Sequence, residues 1–327
     1  MGPPGAGIAD GTERELLECA VRVPCSTSNL GAGFDCLGLA LDRYLDAAFV
    51  PRETLRVQRG GTLAALDVAP EDDVLLRAFR AALRHRRVPD VAGTILMTSS
   101  IPVGRGLGSS AAATVAGIAL AAAACGEALD RAAALAEAVP LEGHPDNAAP
   151  ALFGGLVAVV YAEHGVPRAL RLPLSDRITF VFAAPDVGVS TQRARAALPQ
   201  QVAHSAATRN VSRMAALLYG LAHADGDAIR AGFMDELHVP YRLPLIPGAE
   251  GALRAAEEAG AFAATISGSG SGLIAACPRG MERGVREAML AAFHDAGAGG
   301  EGFVAWPDAH GVQPRNVGTL LATWRSP

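Results

Sequence analysis

The sequence predicts an α+β fold in two halves. Strand-like and helix-like segments are interleaved through all 327 residues, and charge with proline interrupts the apolar pattern near the middle. Half of the residues are hydrophobic and 19% are charged, so the chain can bury two cores of ordinary domain size. The interruption, from Ala162 to Arg168, divides the chain into residues 20–165 and 166–327. Residues 1–19, rich in glycine and proline and then acidic, are expected to form a flexible extension.

The elements follow in order. Ala20–Pro24 begins a strand, and Ser26–Asp35 reads as a polar loop containing glycine. From Val74 to Arg86 the apolar residues Leu75, Ala78, Phe79, Ala82 and Leu83 recur at helical spacing. A strand over Gly93–Ser99 leads through a glycine-rich loop into an apolar helix that starts at Ser109. A helix over Leu129–Val139 precedes Glu142–Asn147, and Gly154–Tyr161 is a strand. In the second half Ile178–Ala183 is a strand, and helices are expected at Thr191–Leu198, Val211–Ala224, Asp227–Phe233 and Ala249–Ala259. Strands at Ala263–Ser267 and Gly272–Cys277 flank a glycine-serine turn. A helix at Met281–Ala296 follows, and a strand at Gly302–Trp306 ends the pattern.

Bulk properties exclude several classes. A net charge of -5 provides no general attraction to nucleic acid or to an anionic membrane. Cys19, Cys25, Cys36, Cys125 and Cys277 are scattered, odd in number and without a CxxC pair, which argues against a disulfide framework or zinc site. The N-terminal residues fit neither a secretory signal nor, with Ala6 where Ser or Thr is needed, N-myristoylation. The most apolar run, Ala111–Cys125, is too short to span a bilayer and reads as a buried helix. A cytoplasmic protein is expected.

The segment Ile101–Ala113 carries the most chemistry. A helix start leaves backbone N–H groups unpaired at the positive end of the helix dipole. Gly104, Gly106 and Gly108 have no side chains to hold an anion off that backbone, and Ser109 and Ser110 add hydroxyls. This arrangement suits a polyphosphate. A plain strand-to-helix turn capped by Ser109 would use the same residues. The GxxxxGK[ST] pattern is absent, and Arg105 is the only cation within the loop.

Two further polar, glycine-rich segments, Pro24–Asp35 and Ser267–Gly272, stand near the ends of the chain, and Gly143-His-Pro-Asp-Asn147 lies between them. With these motifs in this order, residues 20 to about 310 closely resemble the GHMP kinases, and among them the homoserine kinase branch. The resemblance implies a ribosomal protein S5 domain 2-like N-terminal half, a ferredoxin-like C-terminal half and an active site between them. It also implies transfer of the ATP γ-phosphoryl, with Mg2+, to the side-chain hydroxyl of L-homoserine, a step toward threonine. Homodimers are common among such kinases, so a homodimer is an expected assembly.

By the same resemblance the middle loop wraps the ATP phosphates, through Pro102, Gly104, Arg105, Gly106, Leu107, Gly108, Ser109, Ser110 and Ala111. Gly268, Ser269 and Gly270 buttress it, although a simple turn between two strands would also explain them. Ser110 would face the metal. The partner carboxylate is ambiguous between Glu142 and Glu137, with Glu142 favoured, and one serine and one glutamate suffice for Mg2+.

For the acceptor, the resemblance gives Arg195 and Arg242 as carboxylate-binding groups, a task for which the guanidinium fork is suited. Surface ion pairing would be the default for either arginine outside this motif context. Thr191 lies one helical turn before Arg195 and can face the same pocket. Asn29, Asp35 and Asn147 would surround the rest of the substrate, Asp35 suiting its ammonium or its hydroxyl, with Asp35 and Asn147 as the catalytic positions. Mevalonate-kinase-like relatives carry an Asp base where this chain has Asn147, and an amide takes no proton at neutral pH. Catalysis without a dedicated base is therefore implied, with positioning and charge stabilisation supplying the rate. His144 reads as a structural or substrate-orienting residue rather than a general base, and a turn-forming role is an alternative for Asp146. Other small alcohols (threonine, shikimate, a mevalonate-type acid) are alternative acceptors, and a non-catalytic binding role is a further alternative.

Overall fold

β1 (Cys19–Ser28) runs antiparallel to β2 (Leu37–Pro51), a strand long enough to serve two neighbours. The first part of β2 pairs with β5 (Leu156–Tyr161), and its last part pairs with β4 (Gly93–Ser99). β3 (Arg56–Gly61) lies parallel to β4 at one edge. These contacts are seen in a computed structural model that describes residues 15–89, 92–161, 165 and 167–325, except the side chains of Thr323 and Arg325. Most of the expected 1–19 extension thus lies outside the described residues. Its last part does not behave as an extension, because the Leu17 N–H donates to the Ala124 carbonyl and β1 already begins at Cys19.

Four helices cover one face of this sheet. α1 (Val74–His85) begins at Asp73, whose carboxylate accepts the Leu76 N–H. α2 (Ser109–Ala124) is buried almost all round, as its unbroken apolar run predicts. α3 (Arg131–Glu142) starts at the capping Asp130 and continues through Pro140 into its last turn, three residues beyond the expected end. α4 (Pro145–Phe153) was not anticipated: its Pro145 occupies the first turn, where a missing N–H costs nothing. The Gly143–Asn147 motif is therefore the entry to a helix.

The second sheet has the order β10-β7-β9-β8, all antiparallel, built from β7 (Ile178–Ala184), β8 (Ala263–Ile266), β9 (Leu273–Pro278) and β10 (Glu301–Ala305). α9 (Ala249–Glu258) and α10 (Glu282–Asp295) pack on it, which is the ferredoxin-like arrangement. Between β7 and α9 come α5 (Thr191–Ala196), α6 (His204–His223), α7 (Gly226–Phe233) and the single turn α8 (Val239–Arg242).

Three parts of the sequence reading change. Ser26–Ser28 belongs to β1, because these residues pair with Gly38–Ala40 of β2 and are buried. A cut at 165/166 severs a hairpin: β6 (Pro167–Leu172) pairs along its whole length with β5 and so lies in the first sheet. The pattern also does not end at Trp306. β11 (Gln313–Arg315) pairs with β1, and α11 (Val317–Arg325) packs against β1 and β2. Three residues of strand and a short mixed helix carry too little periodicity to stand out from loop.

Candidate active site

The loop between β4 and α2 is held by the turn between β8 and β9. Ser267 Oγ donates to the Gly106 carbonyl at 2.7 Å, and the Gly272 N–H donates to the Arg105 carbonyl at 3.1 Å. Gly106 and Gly108 have φ of +78° and +61°. A Cβ on Gly106 would lie 2.1 Å from the Ser267 carbonyl oxygen, and one on Gly108 2.5 Å from Ser26 Oγ. Both positions thus require glycine by conformation and by space. Behind Gly108, α2 begins with no side-chain cap and no acidic residue in its first turn. Its unpaired N–H groups open on a cleft of about 520 Å³. The chain contains no lysine, and the α2 start offers an anion its backbone dipoles.

At the entrance to α2, Ser110 Oγ donates to Glu142 Oε1 at 2.9 Å, and the Thr114 hydroxyl donates to the same oxygen. Glu137 faces away and pairs with Arg86 at 3.2 Å. The geometry therefore separates the two glutamates, and only Glu142 lines the cleft. A hydroxyl and a carboxylate at the edge of a phosphate cradle are a hard-oxygen donor set that suits Mg2+. Among the described residues no cluster of three or more His, Cys, Asp or Glu offers another metal site.

The same cleft collects charge from both halves. Asp35, at φ +54°, receives both terminal nitrogens of Arg195, at 2.8 and 3.2 Å. Arg242 is 1% exposed and makes only long bonds, to the Ala194 carbonyl (3.3 Å), the Gly268 carbonyl (3.4 Å) and His238 Nδ1 (3.5 Å). No carboxylate among the described residues forms an ion pair with it. Burial, and then the charge of Arg195, lowers its pKa. Phe34 lies under the guanidinium and stacks on His238, which burial drives down to about 4 and which is therefore neutral.

α4 presents Asp146 and Asn147 from its first turn. The Asn147 amide donates to Ser28 Oγ at 2.8 Å and accepts from Ser26 Oγ at 3.0 Å. Asp146 is 3% exposed, and burial followed by the nearby Asp35 charge raises its pKa to about 6. The native state thus holds this proton where the unfolded chain has lost it. Stability from this group is full below pH 4 and lost as pH rises through about 6, a difference of ~3 kcal/mol at neutral pH. Asp146→Asn, neutral throughout, is expected to exceed the parent in stability by ~1–3 kcal/mol at pH 7.5 and to match it at pH 4, as read by urea unfolding. Equal differences at both values would show that Asp146 ionises normally.

Most of the residues singled out from the sequence line this one cleft: Asp35, Gly104, Gly106, Leu107, Gly108, Ser109, Ser110, Ala111, Glu142, His144, Asn147, Thr191, Arg195, Arg242, Gly268, Ser269 and Gly270. Thr191 Oγ1 lies 3.2 Å from Ser269 Oγ, and burial with the Arg195 charge lowers the His144 pKa. Three residues depart from expectation. Pro102 is buried and lies off the cleft wall. Arg105 turns away to donate to the Asp186 carbonyl at 2.6 Å. Asn29 lines the cleft, but its amide is committed as a strut, accepting the Asp35 N–H at 2.9 Å and donating to the Gly268 carbonyl at 2.6 Å.

Sequence reasoning missed the apolar end of the cleft, where Leu63, Leu66, Val68, Val74, Met97 and Val103 form a slot beside the glycine loop. These come from two loops, the start of α1 and a strand, and no local pattern joins them. It also passed over Ser28 and treated Asp146 as a turn residue. The placement of proline before both Asp146 and Asn147 was the available signal for a helix start.

An uncapped helix start behind a glycine loop, set between a seven-stranded sheet layer and a ferredoxin-like half, defines the class of protein. The model for the GHMP kinases N terminal domain matches residues 73–155, and that for the GHMP kinases C terminal matches residues 217–295. The chain is 43% identical over 278 residues to the homoserine kinase of Moorella thermoacetica, covering 84% of this chain and 92% of that one. It is 40% identical over 271 residues to that of Thermus thermophilus, covering 82% and 90%. The crystal structure of homoserine kinase from Cytophaga hutchinsonii superposes with a TM-score of 0.79 at 26% identity, over 95% of this chain and 100% of that chain. Mevalonate kinase from L. major, at a TM-score of 0.64 and 15% identity over 88% of this chain and 94% of that one, shares the fold. The chain belongs to the homoserine kinase family of the GHMP kinases.

All five cysteines are free, and no helix among the described residues is long and apolar enough to cross a membrane.

Proposed function

We propose that this chain is an ATP-dependent homoserine kinase, which converts L-homoserine to O-phospho-L-homoserine for threonine formation. The observation that carries the acceptor is Arg242, a buried guanidinium without a carboxylate partner that lines the same cleft as the open α2 start. A buried cation held only by carbonyls and a neutral imidazole is poised for an anion, and the substrate α-carboxylate supplies it.

The γ-phosphoryl lies against the N-terminus of α2 and the adenosine in the apolar slot. The side-chain hydroxyl of homoserine attacks in line. Its oxygen bonds to the γ-phosphorus as the bond to the β-phosphate oxygen breaks, and its proton passes to an oxygen of the transferred group. Asn147 orients the hydroxyl: its amide is fixed between Ser26 and Ser28 and has no basic site. Backbone N–H groups of the loop stabilise charge that develops on the phosphoryl oxygens. Mg2+, when held by Ser110 and Glu142, neutralises charge on the ATP phosphates. The free cysteines suit a cytoplasmic location.

The test is MgATP-dependent ADP release by purified protein with L-homoserine, L-threonine, shikimate and mevalonate. Release with homoserine alone is expected, and a preference for any other acceptor would overturn the reading. Glu142→Gln is expected to raise the Mg2+ concentration needed for half-maximal ADP release by ~10-fold or more. Glu137→Gln, which loses only the Arg86 pair, leaves that requirement unchanged. Equal responses would remove Glu142 from the metal site.

A further inference from the structure

Glu142 occupies an unfavourable place for a carboxylate, the last residue of α3, where the helix dipole presents its negative end. No cation pairs with it among the described residues, and its two hydrogen bonds both fall on Oε1, from the hydroxyls of Ser110 and Thr114. These donors stand one turn apart on α2 and differ in freedom: Ser110 is exposed on the cleft, whereas Thr114 is 1% exposed. A second cavity, of about 160 Å³, opens between α1, α2 and α3. Val74, Ser110 and Glu142 line both cavities, so the two meet at these residues, and Thr114 lines only the smaller one. The wall of the smaller cavity also includes Arg77, whose guanidinium makes no ion pair among the described residues.

We propose that Thr114 is a positioning residue for the metal site: its hydroxyl anchors Glu142 to α2 beside Ser110 and keeps the carboxylate from turning into the second cavity to pair with Arg77. The inference rests on the reading of Ser110 and Glu142 as metal-binding groups and adds what holds them ready. Ser110 alone is poorly suited to the task, because it is exposed and meets the cation with the same hydroxyl. Thr114 is buried, and β-branching restricts its side chain, so it holds Oε1 at little cost in rotamer freedom. Without that bond the attraction between Glu142 and Arg77 is unopposed. Metal affinity then falls with the fraction of molecules in which Glu142 still faces the cleft.

The affinity of the ADP complex for Mn2+, read from the electron paramagnetic resonance of the free ion, tests this. Thr114→Val, which removes the hydroxyl and keeps the shape, is expected to weaken Mn2+ binding ~10-fold. The Mg2+ concentration for half-maximal ADP release is expected to rise by the same factor, with kcat at saturating metal within about threefold of wild type. Thr114→Ser keeps the donor and is expected to bind Mn2+ as wild type does. Arg77→Met leaves the affinity unchanged by itself, and in the Thr114→Val background it restores most of what was lost. Three results would overturn the inference: wild-type affinity in Thr114→Val, equal weakening in Thr114→Ser, or no recovery in the double variant. The same titration of Glu142→Gln separates the two readings. Wild-type Mn2+ affinity there would remove Glu142 from the metal site, and the anchor with it. Weakening there with none in Thr114→Val would remove the anchor alone.

Discussion

Arg242→Met is expected to raise the KM for L-homoserine by ~10²–10³-fold and to leave the KM for ATP within about twofold. Loss of a desolvated, charge-assisted contact to a carboxylate costs ~3–4 kcal/mol, and each 1.36 kcal/mol is tenfold. The stability of the variant is expected to equal or exceed that of the parent. Arg242 has no carboxylate partner, and its hydrogen bonds are 3.3–3.5 Å long, so its burial is poorly compensated before substrate binds. An apolar side chain of similar volume removes that cost, as replacement of buried ionic groups commonly does. Steady-state kinetics with each substrate varied, together with a melting curve, test both parts. A parallel rise in both KM values would mean that Arg242 supports the cleft as a whole. A large fall in melting temperature would mean that the guanidinium stabilises the fold.

Gly108→Ala is expected to lower kcat/KM for ATP by ~10²-fold or more and stability by ~1–3 kcal/mol. The backbone at φ +61° already disfavours a side chain, and the added Cβ would sit 2.5 Å from Ser26 Oγ and 2.8 Å from Asn147 Oδ1. To relieve this, the loop or Asn147 must move, and a displacement of about 1 Å in a positioning group is enough for a hundredfold loss. Gly297→Ala separates the two causes, because Gly297 has φ +67° but nothing within 4 Å of the added Cβ. It is expected to lose ~1 kcal/mol of stability and no activity. Equal activity losses in the two variants would show that general destabilisation explains the effect.

Much of the site was legible because three of its parts are contiguous in the chain. Gly104–Ala111 reads as a glycine-rich entry to a helix by composition alone, and α2 begins at Ser109 as expected. Arg195 and Arg242 needed the motif context, since either could have been a surface ion pair. Asp146 was misjudged for a physical reason: a carboxylate after proline reads as a turn residue until its burial is known. Glu142 could be separated from Glu137 only by direction. Both lie on α3, but one meets Ser110 and Thr114 while the other meets Arg86.

The sequence by itself determined the alternation of strands and helices, the glycine loop that faces an uncapped helix, and the set of residue types available for catalysis. Those follow from local periodicity and from backbone conformations that only glycine adopts readily. Tertiary structure alone decided that β6, β11 and α11 complete the first sheet layer, that Asn29 is a strut, and that Asp35 and Arg195 meet across the cleft. Most of these depend on pairings between residues more than a hundred positions apart, such as β1 with β11, Asn29 with Gly268 and Asp35 with Arg195. No local pattern encodes such pairings, because they arise only when burial of both cores brings the two halves together.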